Sequence, residues 1–132
     1  VTVATPTFDL VVAANRLPLD RVVDDNGNST WRRSPGGLVT AMESVMRGRD
    51  AAWVGWAGEP GPPPEPFTDE GMYLHPVGLS PTEIQEYYEG FSNDTLWPIF
   101  HDVIVPATFH RNWWNTYRTV NHRFAMAIVE VA

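Results

Sequence analysis

The sequence predicts an α/β fold built on a parallel sheet. Three observations carry the prediction. Phe8 to Ala14 (Phe-Asp-Leu-Val-Val-Ala-Ala) is short, apolar on both faces and β-branched at its centre, as suits a strand buried in a parallel sheet. A glycine pair, Gly36-Gly37, opens a helical period of Leu38, Met42, Val45 and Met46 that stops at Gly48, and a second apolar run, Ala51 to Ala57, follows. Strand, glycine loop, helix and strand make a βαβ unit, which forms a right-handed parallel crossover.

The remaining elements follow in chain order. Asn15-Arg16 breaks the first apolar run. Asp20 to Arg33 is polar, and Asp24-Asp25-Asn26-Gly27-Asn28 at its centre is turn chemistry, so a small hairpin with Trp31 on its return arm is expected. Gly58 to Pro66 holds five prolines and reads as a stiff surface loop. Met72 to Val77 is a third strand. Ser80-Pro81-Thr82-Glu83 starts a helix: Ser80 caps it, Pro81 takes its first turn, and Glu83 completes a capping box. That helix carries Ile84, Tyr87, Tyr88 and Phe91, and a short helical piece is expected around Thr95 to His101, with Trp97-Pro98 near its start.

Arg111 to Val131 has the clearest helical period. Trp113, Tyr117, Val120, Phe124, Ala127 and Val131 step by three or four along one face, and Trp113, Tyr117 and Phe124 are assigned to the core. The chain ends inside this pattern, without a glycine stop or a closing strand. The expectation is therefore a piece of a larger protein.

Composition limits the chemistry. The 132 residues carry nine Lys+Arg and sixteen Asp+Glu, a net charge of −7, so no basic stripe is available for non-specific nucleic-acid binding. All nine cations are arginine, which excludes a lysine nucleophile and a phosphate loop ending in Gly-Lys-Ser/Thr. Cysteine is absent, which excludes disulfides, thiolate zinc sites and cysteine catalysis. No apolar run approaches the roughly 20 residues that span a bilayer. His75, His101, His110 and His122 lack metal-ligand spacing, and His101-Asp102 are only sequence neighbours.

Two features point to an anionic ligand. Arg16 follows the first strand, and open parallel sheets bind ligands beyond the carboxyl ends of their strands. A guanidinium there can grip phosphate through two parallel hydrogen bonds; a structural pair with Asp20 is the competing reading. Gly36-Gly37 sits at a helix mouth, where free N–H groups and the dipole attract phosphate; a simple tight turn is the competing reading. Tyr88 and Trp97 lie beside the polar residues Ser92, Asn93 and Asp94, and Trp56 closes the second strand; aromatic faces with hydrogen-bond donors nearby suit a sugar, although most rings at helical spacing belong to cores.

These same residues carry a family resemblance. Val11-Val12-Ala13-Ala14-Asn15-Arg16-Leu17-Pro18 resembles the opening strand and Asn-Arg turn of trehalose-6-phosphate synthases. Ser34-Pro35-Gly36-Gly37-Leu38 resembles their glycine loop, and Trp53-Val54-Gly55-Trp56-Ala57-Gly58 their Trp-x-Gly-Trp-x-Gly stretch. The block from Glu86 to His101, with Tyr87-Tyr88-Glu89-Gly90-Phe91-Ser92-Asn93 and Leu96-Trp97-Pro98, is similar to their most recognisable N-terminal segment, and Trp114 to Asn121 continues it. The pieces occur in the family's order from about Leu10 onward.

The resemblance implies a retaining glycosyltransferase with two Rossmann-like domains facing a cleft, the GT-B arrangement. Residues 1–132 would be the incomplete N-terminal part of the acceptor-side domain, with the donor-side domain absent. Glucose would pass from a nucleoside-diphosphate glucose (UDP, ADP or GDP) to glucose 6-phosphate, giving trehalose 6-phosphate. Arg16 would bind the acceptor's phosphate. Tyr88, Trp97 and Trp56 would complete the acceptor pocket, and Gly36 and Gly37 would contact the donor near its diphosphate. The segment would hold no catalytic residue and no metal or other cofactor. Its partners would be the two sugar substrates, with no nucleic acid and no membrane, in a cytoplasmic homo-oligomer when full length. The family's lysine that holds the donor diphosphate lies in the domain this chain lacks, and the segment alone is expected to be inactive. The Asp20–Arg33 and Gly58–Pro66 loops are departures from the family pattern. Two alternatives stand beside this reading: a synthase with another phosphorylated acceptor, such as a glucosylglycerol-phosphate synthase, and a non-catalytic sugar-phosphate-binding regulatory domain.

Overall fold

The structure is a computed structural model that describes residues 5–101 and 105–132. Six strands and their helices follow in order: β1 (Leu10–Arg16), β2 (Leu19–Val23), β3 (Ser29–Arg33), α1 (Gly37–Met46), β4 (Ala51–Trp56), β5 (Phe67–Asp69), β6 (Met72–Val77), α2 (Pro81–Glu83), a π-helical segment (Ile84–Leu96), α3 (Trp97–Phe100) and α4 (Arg111–Val131). The main sheet has the order β1-β4-β6-β5. β1 and β6 both pair parallel with β4, whereas β5 pairs antiparallel with β6. β2 and β3 form a separate hairpin, with Arg21 opposite Trp31.

β4 is the centre of the molecule, and every one of its residues is buried. Alternation along the strand divides them between two cores. Ala52, Val54 and Trp56 face α4, where they meet Val120, Phe124, Ala127 and Val131. Ala51 and Trp53 face the other way, toward Val39 and Met46 of α1 and toward Leu17 and Leu74. Thus one face of the continuous apolar run of β4 and the helical period of α4 build one layer between them. Phe124 is buried as expected, but Trp113 and Tyr117 are only half-buried. They lie nearer the start of α4, against the π-helical segment: a Cβ on Gly90 would come within 2.8 Å of the Trp113 ring.

Two elements differ from the sequence reading in extent or type, and a third, β5, was not expected. β1 runs on through Asn15-Arg16, with a bulge between Ala13 and Arg16, because the backbone there still pairs with Trp56. β5 has only three residues and depends on its pairing with Met72 to Leu74. The helix begun at Ser80 widens into the π-helical segment, and the Trp97 N–H donates to the carbonyl of Ser92, five residues back. Its start is as expected: Ser80 Oγ accepts from the Glu83 N–H at 3.2 Å, and Glu83 Oε1 accepts from the Ser80 N–H at 2.9 Å. Among the described residues, no helix is long and apolar enough to cross a membrane.

Two contacts fasten these layers and can be tested in this chain. A Cβ built on Gly55 would lie 2.7 Å from the carbonyl carbon of Arg16 and 2.7 Å from the Leu17 nitrogen. Since backbone cannot swing aside as a side-chain tip can, Gly55→Ala is expected to cost about 2–4 kcal/mol in denaturant unfolding. On the opposite side, Arg123 of α4 grips Glu83 through bonds of 2.9 and 2.7 Å. That guanidinium, aided by the Ser80 N–H, holds the Glu83 carboxyl below the usual carboxylate range. The native value is depressed, so the pair's contribution is complete above the ordinary value of 4.5 and is lost as pH falls through the lowered one. Glu83→Gln is expected to lose about 1–2 kcal/mol at neutral pH, and its gap to the unsubstituted chain should close in acid when melting is followed against pH.

Candidate functional site at the carboxyl end of the first strand

The site begins with backbone. At the end of β1, the Trp53 indole N–H donates to the Arg16 carbonyl at 2.9 Å, and the Leu17 N–H donates to the Trp56 carbonyl at 2.9 Å. Gly55 permits this approach. Arg16 is therefore fixed at its Cα by the central strand before its side chain makes any contact.

The guanidinium then meets three groups. Its Nη2 donates to Asp20 Oδ1 at 2.6 Å. Its Cζ lies 5.0 Å from the centroid of the Trp56 ring, a cation–π contact. Gly58 backs onto it so closely that a Cβ there would sit 2.7 Å from Nη2. The Nε is buried and has no partner among the described residues, yet the side chain as a whole remains 35% exposed. Partly desolvated and only partly satisfied, this cation can still accept an anion through its open donors.

Rings extend the site. Trp56 is held by its indole N–H, which donates to the Glu59 carbonyl at 2.8 Å. The Tyr88 ring meets Trp56 edge-on, with centroids 5.6 Å apart. Its neighbour Tyr87 is buried and donates to Asn15 Oδ1, tying the π-helical segment to the residue before Arg16. Burial, with Tyr117 and Tyr88 close by, pushes the Tyr87 phenol up to about 12. It therefore remains a proton donor throughout the ordinary pH range. Arg16, Trp56 and Tyr88 thus form one contiguous cluster, and the pair with Asp20 belongs to it as well.

Trp97 stands apart from that cluster, with no ring contact to Arg16, Trp56 or Tyr88 among the described residues. It is 55% exposed and stacks one face on His101, 3.6 Å away and 11° from parallel. The segment before it is fastened by Thr95, which is buried and donates to the Thr108 carbonyl, and by the Thr108 N–H, which donates to the Asp94 carbonyl at 2.8 Å. His75 is buried beneath α4 and faces Glu130 at 3.8 Å. Among the described residues no group of three His, Cys, Asp or Glu side chains could hold a metal ion. Asp102 lies outside the described residues.

Gly36 and Gly37 open α1 at the same end of the sheet. The Ser34 N–H donates to the Pro18 carbonyl at 2.8 Å, so the glycine loop is tied two residues beyond Arg16. Gly36 is extended, with φ 162°, and a Cβ on either glycine would meet nothing within 4 Å. Neither backbone conformation nor internal packing demands glycine at these positions. Both readings of the pair therefore stand on other grounds than crowding: a turn on the cap it gives α1, and an anion on the N–H groups that any helix start leaves unpaired.

Asp20 was foreseen only as a competing partner of Arg16, and Gly58 only as part of a matched stretch. Asn15 carried no signal of its role, because its contact with Tyr87 joins distant parts of the chain, and Glu59 carried none because it holds Trp56 with a backbone carbonyl, which any residue type supplies.

The parallel sheet, its glycine-opened helix and the polar and aromatic groups at its strand ends place the chain among Rossmann-like α/β domains. More narrowly, it belongs to glycosyltransferase family 20, whose model matches residues 9–132. It is 53% identical to the trehalose-6-phosphate synthase of Mycobacterium tuberculosis over 132 residues, covering 94% of this chain and 26% of that one. It resembles the alpha,alpha-trehalose-phosphate synthase (UDP-forming) of Burkholderia xenovorans solved with glucose-6-phosphate, with a TM-score of 0.68 and 25% identity over 91% of this chain and 25% of that chain. It is also similar to an E. coli structure solved with UDP-2-fluoro glucose, with a TM-score of 0.69 and 28% identity over 91% of this chain and 24% of that chain. The chain thus spans about a quarter of the length of the curated relatives it matches. The matched solved structures have the GT-B architecture, and this sheet corresponds to the N-terminal part of it.

A stability measurement separates the two readings of the glycine pair. Gly36→Ala and Gly37→Ala are each expected to change the unfolding free energy of this chain by no more than about 1 kcal/mol: within α1, at position 37, alanine is the better helix former, and at the N-cap, position 36, it is the poorer cap. A larger loss would favour the structural-turn reading.

Proposed function

We propose that the whole protein transfers glucose from a nucleoside-diphosphate glucose to glucose 6-phosphate, releasing trehalose 6-phosphate, and that this chain supplies the acceptor side of the cleft. The observation that carries the proposal is the Arg16 guanidinium at the end of β1, lying on Trp56 and still partly exposed. The family membership supports it, as do the trehalose-6-phosphate synthase name of the M. tuberculosis relative and the glucose-6-phosphate bound to the B. xenovorans one.

In this reading Arg16 meets the phosphate of the acceptor. Tyr88 and Trp56 flank the hexose, and Trp97 offers its free face to it. Gly36 and Gly37 admit the donor diphosphate to the N–H groups of α1. Uridine is the donor base that the similar structures favour. The acceptor hydroxyl attacks the anomeric carbon on the face from which the diphosphate departs, and the leaving phosphate accepts the proton. No side chain of this segment acts as nucleophile. Charge developing on the diphosphate is stabilised by the helix-mouth N–H groups, together with cations from the donor-side domain. No metal or cofactor enters the scheme. A cytoplasmic homo-oligomer is the form proposed for the whole protein, and the segment alone is proposed to be inactive. The names of the relatives favour neither a different phosphorylated acceptor nor a non-catalytic domain.

In the whole protein, Arg16→Ala is expected to raise the Michaelis constant for glucose 6-phosphate by at least about tenfold, with a smaller effect on the donor constant. Unchanged acceptor kinetics would remove Arg16 from the phosphate. An acceptor panel in which glycerol 3-phosphate turns over and glucose 6-phosphate does not would overturn the substrate.

A further inference from the structure

We infer that Asp20 and Gly58 are positioning residues, which set the Arg16 guanidinium in its anion-binding rotamer before the acceptor arrives. The inference rests on the reading of Arg16 as the group that meets the acceptor's phosphate, and adds what holds it there.

Arg16 ends β1, and Asp20 is the second residue of β2. The root of β2 is tied to the loop after β4 twice: the Arg21 N–H donates to the Ala57 carbonyl at 3.1 Å, and the Arg21 side chain donates to Glu59 Oε1 at 2.7 Å. These bonds bring Asp20 and Gly58 to the same guanidinium from two separate segments. The Asp20 side chain is only 16% exposed, so its carboxylate is held in place rather than loosely solvated.

Gly58 has two independent reasons to be glycine. Its φ of +98° is disfavoured for any residue with a Cβ. A Cβ would also lie 2.7 Å from Arg16 Nη2, 3.4 Å from Arg16 Cζ and 3.6 Å from Asp20 Oδ1. The missing side chain at 58 is the space in which the Arg16–Asp20 pair forms. With the Trp56 ring beneath, the guanidinium is bounded on three sides.

An arginine loses rotamer freedom when it binds an anion, and a site that has already fixed the rotamer avoids that loss at the moment of binding. Asp20 contacts one nitrogen of a group that has five donors, so the fork keeps free N–H bonds for phosphate oxygens. Asp20 is therefore a support for the cation and not its terminal partner.

The test compares acceptor kinetics of the whole protein carrying Asp20→Asn, Gly58→Ala, Arg16→Ala, or Asp20→Asn with Arg16→Ala. Asp20→Asn is expected to raise the Michaelis constant for glucose 6-phosphate by about 5–20-fold, with kcat and the donor constant within about twofold of the unsubstituted enzyme. In the Arg16→Ala background, the same change should add less than about twofold, because a support has nothing left to position. Gly58→Ala should move the acceptor constant in the same direction. If Arg16→Ala leaves that constant unchanged, the phosphate reading itself fails. If Arg16→Ala raises it while Asp20→Asn and Gly58→Ala leave it unchanged or lower it, the phosphate reading stands and the positioning role is overturned. Equal losses for both substrates that persist in the Arg16→Ala background would likewise reduce Asp20 to a general structural role.

Discussion

The close approach of Gly55 to the backbone of Arg16 and Leu17 is the constraint on which the rest depends. Parallel strands cannot bring a peptide this near a neighbour that carries a Cβ. Where they do, the bulge at the end of β1 turns the chain, Leu17 enters the core, and the Trp53 indole can reach the Arg16 carbonyl. From that fixed Cα, the guanidinium has Trp56 below it and Asp20 beside it. Partial burial of a cation is unfavourable in itself, and the carboxylate and the ring offset that cost. The placement of the cation and rings at this end of the sheet is thus a consequence of packing in its centre.

The second layer of control comes from the helical side. Tyr87 reaches Asn15, Tyr88 reaches Trp56, and Trp113 lies over Gly90. These contacts seat the π-helical segment against both the end of β1 and the start of α4. A wider helix brings its side chains round at a different interval from an α-helix, and π-type turns are frequent at functional sites. Here the segment carries Tyr88 to Trp56 and then leads directly into α3, which displays Trp97. The rings proposed to face one hexose therefore belong to one continuous helical run and one strand.

Much of this was legible in the sequence, for reasons specific to each element. β4 was readable because six residues buried on both faces leave a continuous apolar run. α4 was readable because its buried residues fall on one face, and the start at Ser80 because a capping box is local chemistry. β5 was not, since three residues hold their shape only through β6. The π-helical segment was not, because Ile84, Tyr87, Tyr88 and Phe91 suit an α-helical period equally well. The half-burial of Trp113 and Tyr117 was missed for a related reason: periodicity identifies a face without saying how far the covering layer extends. At the site, Arg16 and the glycine loop could be placed by their position after a strand and before a helix. Gly58 could not, because beside its positive φ the need for glycine arises from a guanidinium more than forty residues away in sequence, a contact made only by the folded chain.

The central claim is that the carboxyl end of β1 is where an acceptor's phosphate binds, on a cation already in place. The most direct measurement is a crystal structure of the whole protein with glucose 6-phosphate. The account predicts phosphate oxygens within hydrogen-bonding distance of the Arg16 guanidinium, with Asp20 still on Nη2 and the hexose beside Tyr88. A phosphate bound elsewhere, with Arg16 paired to Asp20 alone, would contradict it.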